Sequence, residues 1–582
     1  MNIERSATSK LKLALKNAGL SGEAAYTENQ LRPVLLNFLT SLEEIASKVC
    51  KPFNSFGLLC ALQHYLPIHI IEPRAGFEAD AQILFNNVAT LAFRFSSSTD
   101  DAKAKLTRAD YARISETNDL SWLEDYFEVV LQIYYIADVI DLTIKMLRWL
   151  GKGATATVDL TAKDPSTIVK MQIPAELQQK MSQYDERVIR NQDILIKQAI
   201  PLGAVKPTSP LKCVVVNPNW SEFRNGNSNP PPVPVIFGMD AIYTFTSFHS
   251  DEVIQVFNKR VYVEDLFVFM AALFKPLVED YLNNVRFAGQ GYSFTEEQHL
   301  IDCVANWAPA IYAECFSQGV FVDGTPCVLE SFSQAYWEEV VPQMLRFISH
   351  DFVSRDTIDS LLFHPVRFAY RCDDGTIFLH LGSVSHFFMY FLDQFQSTGQ
   401  FGEIKGRALE VLLSDIIESV KGFKRIWEPG HRLKLPVASK VGTDVDVFVQ
   451  RNELALLISC KAYKVNREYE LGNSQTCWDR SEATKSWLRF AHQTAKVVAE
   501  HHKELKLPKE IKGILPLVCT GWPEYLFEPS EDYFLVDGTP RIATLREIEE
   551  LCRNMDDAKA EKLLQDPWVV LIPDDLQHPA RR

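Results

Sequence analysis

The chain has 582 residues and a formal net charge of −15 at pH 7. Because single hydrophobic cores stop growing at about 250–300 residues, a chain of this length is expected to contain several domains. Its 47% of hydrophobic residues excludes a mainly disordered protein, and its negative charge excludes a uniformly basic surface for binding nucleic acid.

Residues 1–150 are predicted to form a helical domain, because apolar side chains recur near the 3.6-residue period of a helix. The residues that follow this period near the start of the chain are Leu31, Val34, Leu35, Phe38 and Leu42. The longest apolar region, 122–150, is interrupted by charged residues every few positions. That pattern predicts an amphipathic packed helix and excludes a membrane span. Gly151 and Gly153 predict its end.

Residues 151–255 are predicted to be a mixed, loop-rich region. Two short β-branched runs, 213–216 and 234–237, are candidate strands. The proline run 230–232 between them indicates an extended, exposed segment.

Residues 256–395 are predicted to be helical again and to end in a hairpin and a further helix. The helical part, 263–348, begins with an apolar stripe that is typical of a packed core. The stripe consists of Leu266, Met270, Leu273, Leu277 and Tyr281. Within 367–379, two alternating runs on either side of a polar turn predict the hairpin. The helix is expected to end near Gln394.

Residues 396–582 are predicted to form a C-terminal α/β domain after a short polar linker. Two apolar runs, 442–449 and 454–461, predict a strand hairpin with its turn at Arg451 and Asn452. Acidic side chains and a lysine lie close together in the sequence of this hairpin.

A helix is predicted before this hairpin, and a helix and a strand after it. The later helix covers 481–505 and the later strand covers 513–519. The proline inside that strand predicts a position at the edge of the sheet, because proline cannot donate a ladder hydrogen bond.

The hairpin carries Asp444 and Asp446 on its first strand and ends its second strand with Lys461, while Glu410 lies on the helix before it. Because side chains alternate between the two faces of a strand, the two aspartates are expected to share one face. Ser459 and Lys461 are likewise expected to face the same way. Each residue alone is also typical of an ordinary surface, but their joint occurrence favours a site.

Carboxylates next to a lysine fit the metal-assisted cleavage of a phosphodiester. Mg²⁺ takes one or two protein carboxylates together with water and substrate phosphate. The metal generates a nucleophile from bound water, and a lysine stabilises the developing charge on the phosphate. The sequence therefore predicts Glu410, Asp444 and Asp446 as ligands of Mg²⁺ or Mn²⁺, and Glu410, Asp446 and Lys461 as catalytic residues.

These residues resemble the PD-(D/E)xK nuclease superfamily, which has the restriction-endonuclease-like fold, and are most similar to Mrr-type restriction enzymes. Glu410 stands for the helix acid, Asp446 for the strand aspartate, and residues 459–461 occupy the place of Glu-x-Lys. The resemblance covers roughly 400–525. It implies an αβββαβ mixed sheet, a DNA substrate and a role in bacterial defence against foreign DNA. It also implies that Gln493, on the helix after the lysine strand, touches the substrate, although an exposed helix residue would look the same.

Ser459 departs from the family pattern because a neutral hydroxyl replaces the expected acid, and a hydroxyl is a poor ligand for Mg²⁺. Asp444 or Glu410 could supply the missing charge. Alternatively, the domain is an inactive nuclease fold that binds nucleic acid or acts as a scaffold. A third possibility is a helical interaction protein with no role on nucleic acid.

The remaining features concern partners and compartment. Residues 401–496 hold 16 Lys and Arg against 12 Asp and Glu, a small local excess that is compatible with a phosphate-facing groove. The helical region is expected to recognise a protein partner, to regulate, or to form a homo-oligomer. The 11 cysteines include no Cys-x-x-Cys pair, which predicts neither disulfides nor a structural zinc. Without an apolar leader or membrane span, a soluble cytoplasmic protein is expected.

Overall fold

The computed structural model describes most of the chain in several stretches. The described residues are 3–64, 87–117, 120–199, 253–256, 259–262, 269, 294–316, 321–322, 325–326, 333–358, 367, 369–379, 400–433, 444–461, 467–521, 523–525 and 533–573. The chain divides into two compact units. The first consists of 1–173, 196–394 and 470–472, and the second of 174–195, 395–469 and 473–582.

The described helices and strands follow one another along the whole chain. The helices are α1 (Ile3–Asn17), α2 (Glu28–Cys50), α3 (Ser55–His64), α4 (Arg108–Thr117), α5 (Glu124–Gly151), α6 (Pro165–Ile168), α7 (Ala175–Ala199), α8 (Glu297–Phe316), α9 (Gln334–Ile348), α10 (Gln400–Ser419), α11 (Arg467–Glu470), α12 (Ser474–Glu500), α13 (Leu545–Arg553) and α14 (Asp557–Leu564). The strands are β1 (Gly22–Tyr26), β2 (Thr155–Val158), β3 (Val169–Gln172), β4 (Val253–Val256), β5 (Lys259–Tyr262), β6 (Phe294–Thr295), β7 (Phe321–Val322), β8 (Thr325–Pro326), β9 (Ser349–Asp351), β10 (Ala369–Arg371), β11 (Ile377–Leu379), β12 (Lys424–Trp427), β13 (His431–Arg432), β14 (Asp444–Val445), β15 (Val447–Arg451), β16 (Leu454–Lys461), β17 (Gly513–Thr520), β18 (Ile542–Thr544) and β19 (Val570–Leu571).

The N-terminal region is helical, as predicted. The apolar stripe of α2 is buried, and this helix packs against α1 and α5. The buried residues of that stripe include all five expected from the sequence: Leu31, Val34, Leu35, Phe38 and Leu42. The 28-residue α5 covers most of the predicted 122–150 helix and ends at Gly151. One strand was not foreseen here: β1 pairs with β2, which itself pairs with β3, in a small antiparallel sheet.

The later part of the first unit is less uniformly helical than predicted. Helices α8 and α9 lie within 263–348, but the two-residue strands β6, β7 and β8 lie there as well. The predicted hairpin is confirmed, because β10 and β11 pair antiparallel with Ala369 opposite Leu379. Their sheet has the order β6-β11-β10-β9.

Four predicted features lie outside the described residues. Phe269, within one of them, is described and is buried. They are the candidate strands 213–216 and 234–237, the proline run 230–232, the apolar stripe from Leu266 to Tyr281, and the helix ending near Gln394.

The second unit is built on a mixed sheet with the order β12-β15-β16-β17-β18, and β19 also pairs with β17. Strands β12, β15 and β16 are antiparallel neighbours, whereas β16, β17 and β18 run parallel. Helix α10 packs against β15 and α12 against β17. Parallel strands buried on both faces read as continuous apolar runs, as β16 and β17 do. The C-terminal region is therefore mixed α/β.

The predicted edge position of the proline-containing strand is wrong. All eight residues of β17 are buried, and the strand lies in the interior of the sheet. Pro516 is tolerated because β19 covers only 513–514 and β18 only 518–520 of the side facing away from β16. The stretch between them has one strand neighbour, so a residue without an N–H fits there.

Helix α7 belongs to the second unit through residues 174–195, although about two hundred residues separate it from the rest. Its Arg187 donates to both carboxylate oxygens of Glu547, at 2.7 and 2.9 Å, and to the carbonyls of Glu524 and Ile542, each at 2.9 Å. Tyr184 packs edge-on against Tyr525. A long-range contact of this kind leaves no local signal in the sequence.

Among the helices that the structure describes, none combines the length and the apolar character that a membrane crossing requires.

Candidate functional site

The β15–β16 hairpin positions the predicted site. Val447 pairs with Ile458 at one end of the ladder and Arg451 with Leu454 at the other. The turn therefore consists of Asn452 and Glu453, one residue later than predicted. Asn452 has a φ of 50°, a left-handed conformation that asparagine adopts more readily than most residues.

The sequence predicted one continuous strand through both aspartates. The structure instead has a bend at Asp446. Strand β14 before the bend pairs with β13, and β15 after it pairs with β12 and β16. The main-chain carbonyl of Asp446 accepts from the N–H of Gly430 at 3.0 Å. Its side-chain Oδ2 accepts from the N–H of Cys460 at 2.6 Å. The carbonyl and the carboxylate of Asp446 therefore accept hydrogen bonds in place of the regular strand-to-strand bonds at this residue.

Asp446, Ser459 and Lys461 form a connected chain of polar contacts at the end of β16. The Nζ of Lys461 donates to Oγ of Ser459 at 2.8 Å, and this hydroxyl donates to Oδ2 of Asp446 at 3.2 Å. The direct distance from Lys461 Nζ to Asp446 Oδ2 is 3.9 Å. Because an ammonium can only donate, the order of donation runs from lysine through serine to aspartate. The predicted sharing of one face by Ser459 and Lys461 is confirmed.

Glu410 lies next to this chain on α10. Burial raises its pKa to about 7, and the nearby charge of Asp446 adds to the rise, while Arg407 and Lys461 oppose it. Within the described residues neither oxygen of Glu410 takes part in a hydrogen bond or an ion pair. A carboxylate that titrates near neutral pH beside a second carboxylate is a typical feature of functional sites.

Asp446 and Cys460 are also electrostatically perturbed. Burial raises the pKa of Asp446, although Lys461 and the two hydrogen bonds from residues 459 and 460 lower it. Burial also raises the pKa of the Cys460 thiol, next to Cys519 on β17. A thiol with a raised pKa is a weak nucleophile, so Cys460 is not a candidate nucleophile.

Asp444 lies apart from the other acids. It pairs with Arg432 across the β13–β14 ladder, with 3.6 Å between Oδ1 and Nε, and its side chain is half exposed. Its charge still reaches Glu410 and Asp446, because it contributes to the raised pKa of both. The expectation that it shares a face with Asp446 stays a prediction.

Gln493 is exposed on α12, and its predicted contact with a substrate stays a prediction. Its neighbour Ala491 shares a buried cluster with Val518, which pairs with Ser459 across the β16–β17 ladder. Among the described residues, no hydrogen bond joins Gln493 to Asp446 or Lys461.

The residues present fit a hard divalent cation held by two carboxylates. Within the described stretches, no group of three or more His, Cys, Asp or Glu side chains could hold a metal. Glu410 and Asp446 act on each other's charge, whereas Asp444 also pairs with Arg432, and the role of all three as metal ligands stays a prediction. Two carboxylates suffice for Mg²⁺, which retains several of its waters. A cation would also offset the repulsion that raises the pKa of Glu410.

Gly430 is a site residue that the sequence reasoning missed. It has a φ of 69°, and a Cβ at this position would lie 3.1 Å from Oε2 of Glu410. The absence of a side chain lets the turn approach the carboxylate closely. The Pro429-Gly430 dipeptide is a turn signal that could have drawn attention to this position.

Comparison with protein-family models, with curated proteins and with solved structures finds no match to this chain.

Proposed function

We propose that this protein is a metal-dependent endonuclease that cleaves phosphodiester bonds in DNA. The observation that carries the proposal is the meeting of Lys461 and Asp446, 3.9 Å apart, beside Glu410 with its raised pKa. A half-buried group of a lysine and carboxylates with shifted pKa values is a common feature of functional sites.

The fold supports the same proposal. Helix α10, strands β12, β15 and β16, helix α12 and strand β17 follow one another in the αβββαβ order of a restriction-endonuclease-like domain. We therefore propose that the second unit is a PD-(D/E)xK domain, most similar to those of Mrr-type restriction enzymes. Fold alone does not determine function, so the weight rests on the cluster.

Each residue of the cluster has a distinct role in the proposed reaction. Mg²⁺ or Mn²⁺, held by Glu410 and Asp446, would activate water and offset charge on the phosphate. Lys461 places a positive charge where negative charge develops on the phosphoryl oxygens. Ser459 holds that ammonium through its hydroxyl, and the N–H of Cys460 fixes one oxygen of Asp446. Within the described residues the other oxygen, Oδ1, accepts no hydrogen bond and remains available.

The helical region contributes recognition or control in this proposal. The first unit would recognise a partner, mediate self-association or regulate cleavage. A role in bacterial defence against foreign DNA follows from the similarity to Mrr-type enzymes and rests on that analogy alone.

The second candidate function is a DNA-binding or scaffold protein with an inactive nuclease fold. Ser459 favours it, because the motif acid is replaced by a hydroxyl that binds Asp446 instead of a cation. The ion pair of Asp444 with Arg432 favours it as well.

Cleavage of plasmid and linear DNA in Mg²⁺ or Mn²⁺ separates the two candidates. Asp446→Ala and Lys461→Ala are each expected to reduce cleavage by at least ~100-fold, since each removes a charge that acts on the transition state. Lys509→Ala and Glu510→Ala, at exposed positions of the same unit, are the matched controls. DNA binding without cleavage by the wild type would support the inactive fold, and neither binding nor cleavage would contradict both candidates.

Ser459→Glu tests whether the missing acid limits the site. An increase in cleavage would show that the third carboxylate is still useful in this geometry. A loss would show that the hydroxyl contact between Lys461 and Asp446 has replaced it.

A further inference from the structure

Arg407 lies at the edge of the cluster formed by Glu410, Asp446 and Lys461. It stands three residues before Glu410 on α10, so the two side chains lie on the same face of the helix. Its charge lowers the pKa of Glu410 against the stronger effect of burial. A Cβ on Gly430 would lie 3.5 Å from Nη1 of Arg407, close to the 3.1 Å to Oε2 of Glu410.

Three other arginines of the second unit are tied to carboxylates. Arg187 binds Glu547, Arg425 binds Asp415, and Arg480 forms a two-point contact with Glu524. Arg407 differs, because it is exposed and takes part in no hydrogen bond or ion pair within the described residues. Its guanidinium faces solution at the edge of the cluster, where an anion can reach it.

We propose that Arg407 binds a phosphate of the substrate backbone next to the phosphate that is cleaved. A guanidinium offers two parallel donors that match the oxygens of a phosphate. Lys461 is already placed for the reacting phosphate, which leaves the neighbouring phosphate for Arg407. The substrate is then a chain with at least two consecutive phosphodiesters, rather than a cyclic or single phosphodiester. This inference rests on the proposed function.

Binding of a labelled 30-base-pair duplex to the full chain, in EDTA and over a range of salt concentrations, tests the inference without catalysis. Arg407→Gln is expected to raise Kd about 5–10-fold and to reduce the slope of log K against log salt by about 1. Arg407→Lys keeps the charge, and its Kd is expected to lie between those of the wild type and Arg407→Gln. Arg489→Gln, at an exposed arginine on α12, is the matched control. In Mg²⁺, the loss is expected in KM rather than in kcat.

The outcomes separate this inference from the proposed function. An unchanged Kd and salt slope in Arg407→Gln, with a wild type that cleaves DNA, would overturn the inference and leave the nuclease standing. A fall in kcat at unchanged Kd would overturn the assignment to a neighbouring phosphate. Weaker binding by Arg407→Gln in a protein that never cleaves would support the phosphate contact and overturn the nuclease.

Discussion

Each unit contains an ionisable side chain whose neutral form is favoured by burial, a histidine in the first unit and a glutamate in the second. In the first unit, His350 lies 5.5 Å from the ring of Tyr370. Burial and the charge of Arg367 lower the pKa of His350 to about 3. In the second unit, burial and the charge of Asp446 raise the pKa of Glu410 to about 7.

Burial is the largest cause of both pKa shifts, and the two groups differ in the charges that surround them. His350 is fully neutral at pH 7 and acts as a packed ring within an aromatic cluster. Glu410 exchanges its proton near pH 7, because burial and the charge of Asp446 raise its pKa while Arg407 and Lys461 lower it. Such a group can accept or release a proton in a reaction, but its charged form destabilises the folded state.

Replacing Glu410 by glutamine is expected to have the largest effect on the difference between the two units. Glu410→Gln is expected to reduce DNA cleavage by at least ~100-fold, because it removes a carboxylate that acts on the metal and phosphate. The same change is expected to raise the free energy of unfolding of the second unit by about 1 kcal/mol at pH 8, allowing for partial exposure. Cleavage rates and hydrogen exchange of peptides from 400–461 measure the two effects.

His350→Gln is the matched change in the first unit. It should leave the cleavage rate unaltered while destabilising the first unit by about 1–3 kcal/mol through poorer packing. Loss of both activity and stability in Glu410→Gln would mean that the carboxylate is structural.

The pH dependence of stability should have opposite signs in the two units. Glu410 binds its proton more tightly in the folded protein, so its contribution is full below its ordinary pKa of 4.5 and is lost as pH rises through about 7. His350 binds its proton less tightly when folded. Its contribution is full above 6.5 and is lost as pH falls toward about 3. Each group contributes at most about 1.4 kcal/mol per pH unit.

Hydrogen exchange of peptides from each unit, measured between pH 4.5 and 7, checks the two slopes separately. Glu410→Gln should flatten the slope of the second unit only, and His350→Gln that of the first only. Parallel slopes in both units would show that other groups dominate.

Asp444→Asn is expected to have the smallest effect. Its carboxylate pairs with the exposed Arg432, and an exposed ion pair contributes only ~0–1 kcal/mol. Cleavage should therefore fall by less than about 5-fold, with Mg²⁺ titrations of the cleavage rate as the measurement. A loss as large as that of Asp446→Ala would restore Asp444 to the set of metal ligands.

The sequence predicted the parts of this site that depend on local pattern. Alternating apolar residues located the β15–β16 hairpin, and the helical period located α2 and α5, because burial of one face leaves a regular trace. The contact of Lys461 with Ser459 followed from the two-residue repeat of a strand. Each of these features is determined by residues that are close together in the sequence.

The sequence could not predict features set by distant contacts. The bend at Asp446 depends on hydrogen bonds from Gly430 and Cys460, which come from other strands and turns. The interior position of Pro516 depends on where β18 and β19 stop pairing with β17. Neither has a signature within a short window of sequence.

The contacts of Arg187 have a consequence for the modular history of this protein. Its guanidinium neutralises the buried Glu547, yet it is encoded far upstream of the other residues of the second unit. Shuffling of 396–582 alone into another gene would strand that carboxylate without its cation, at a cost of about 3–5 kcal/mol. A fragment limited to 396–582 is therefore expected to be less stable than the same residues in the full chain.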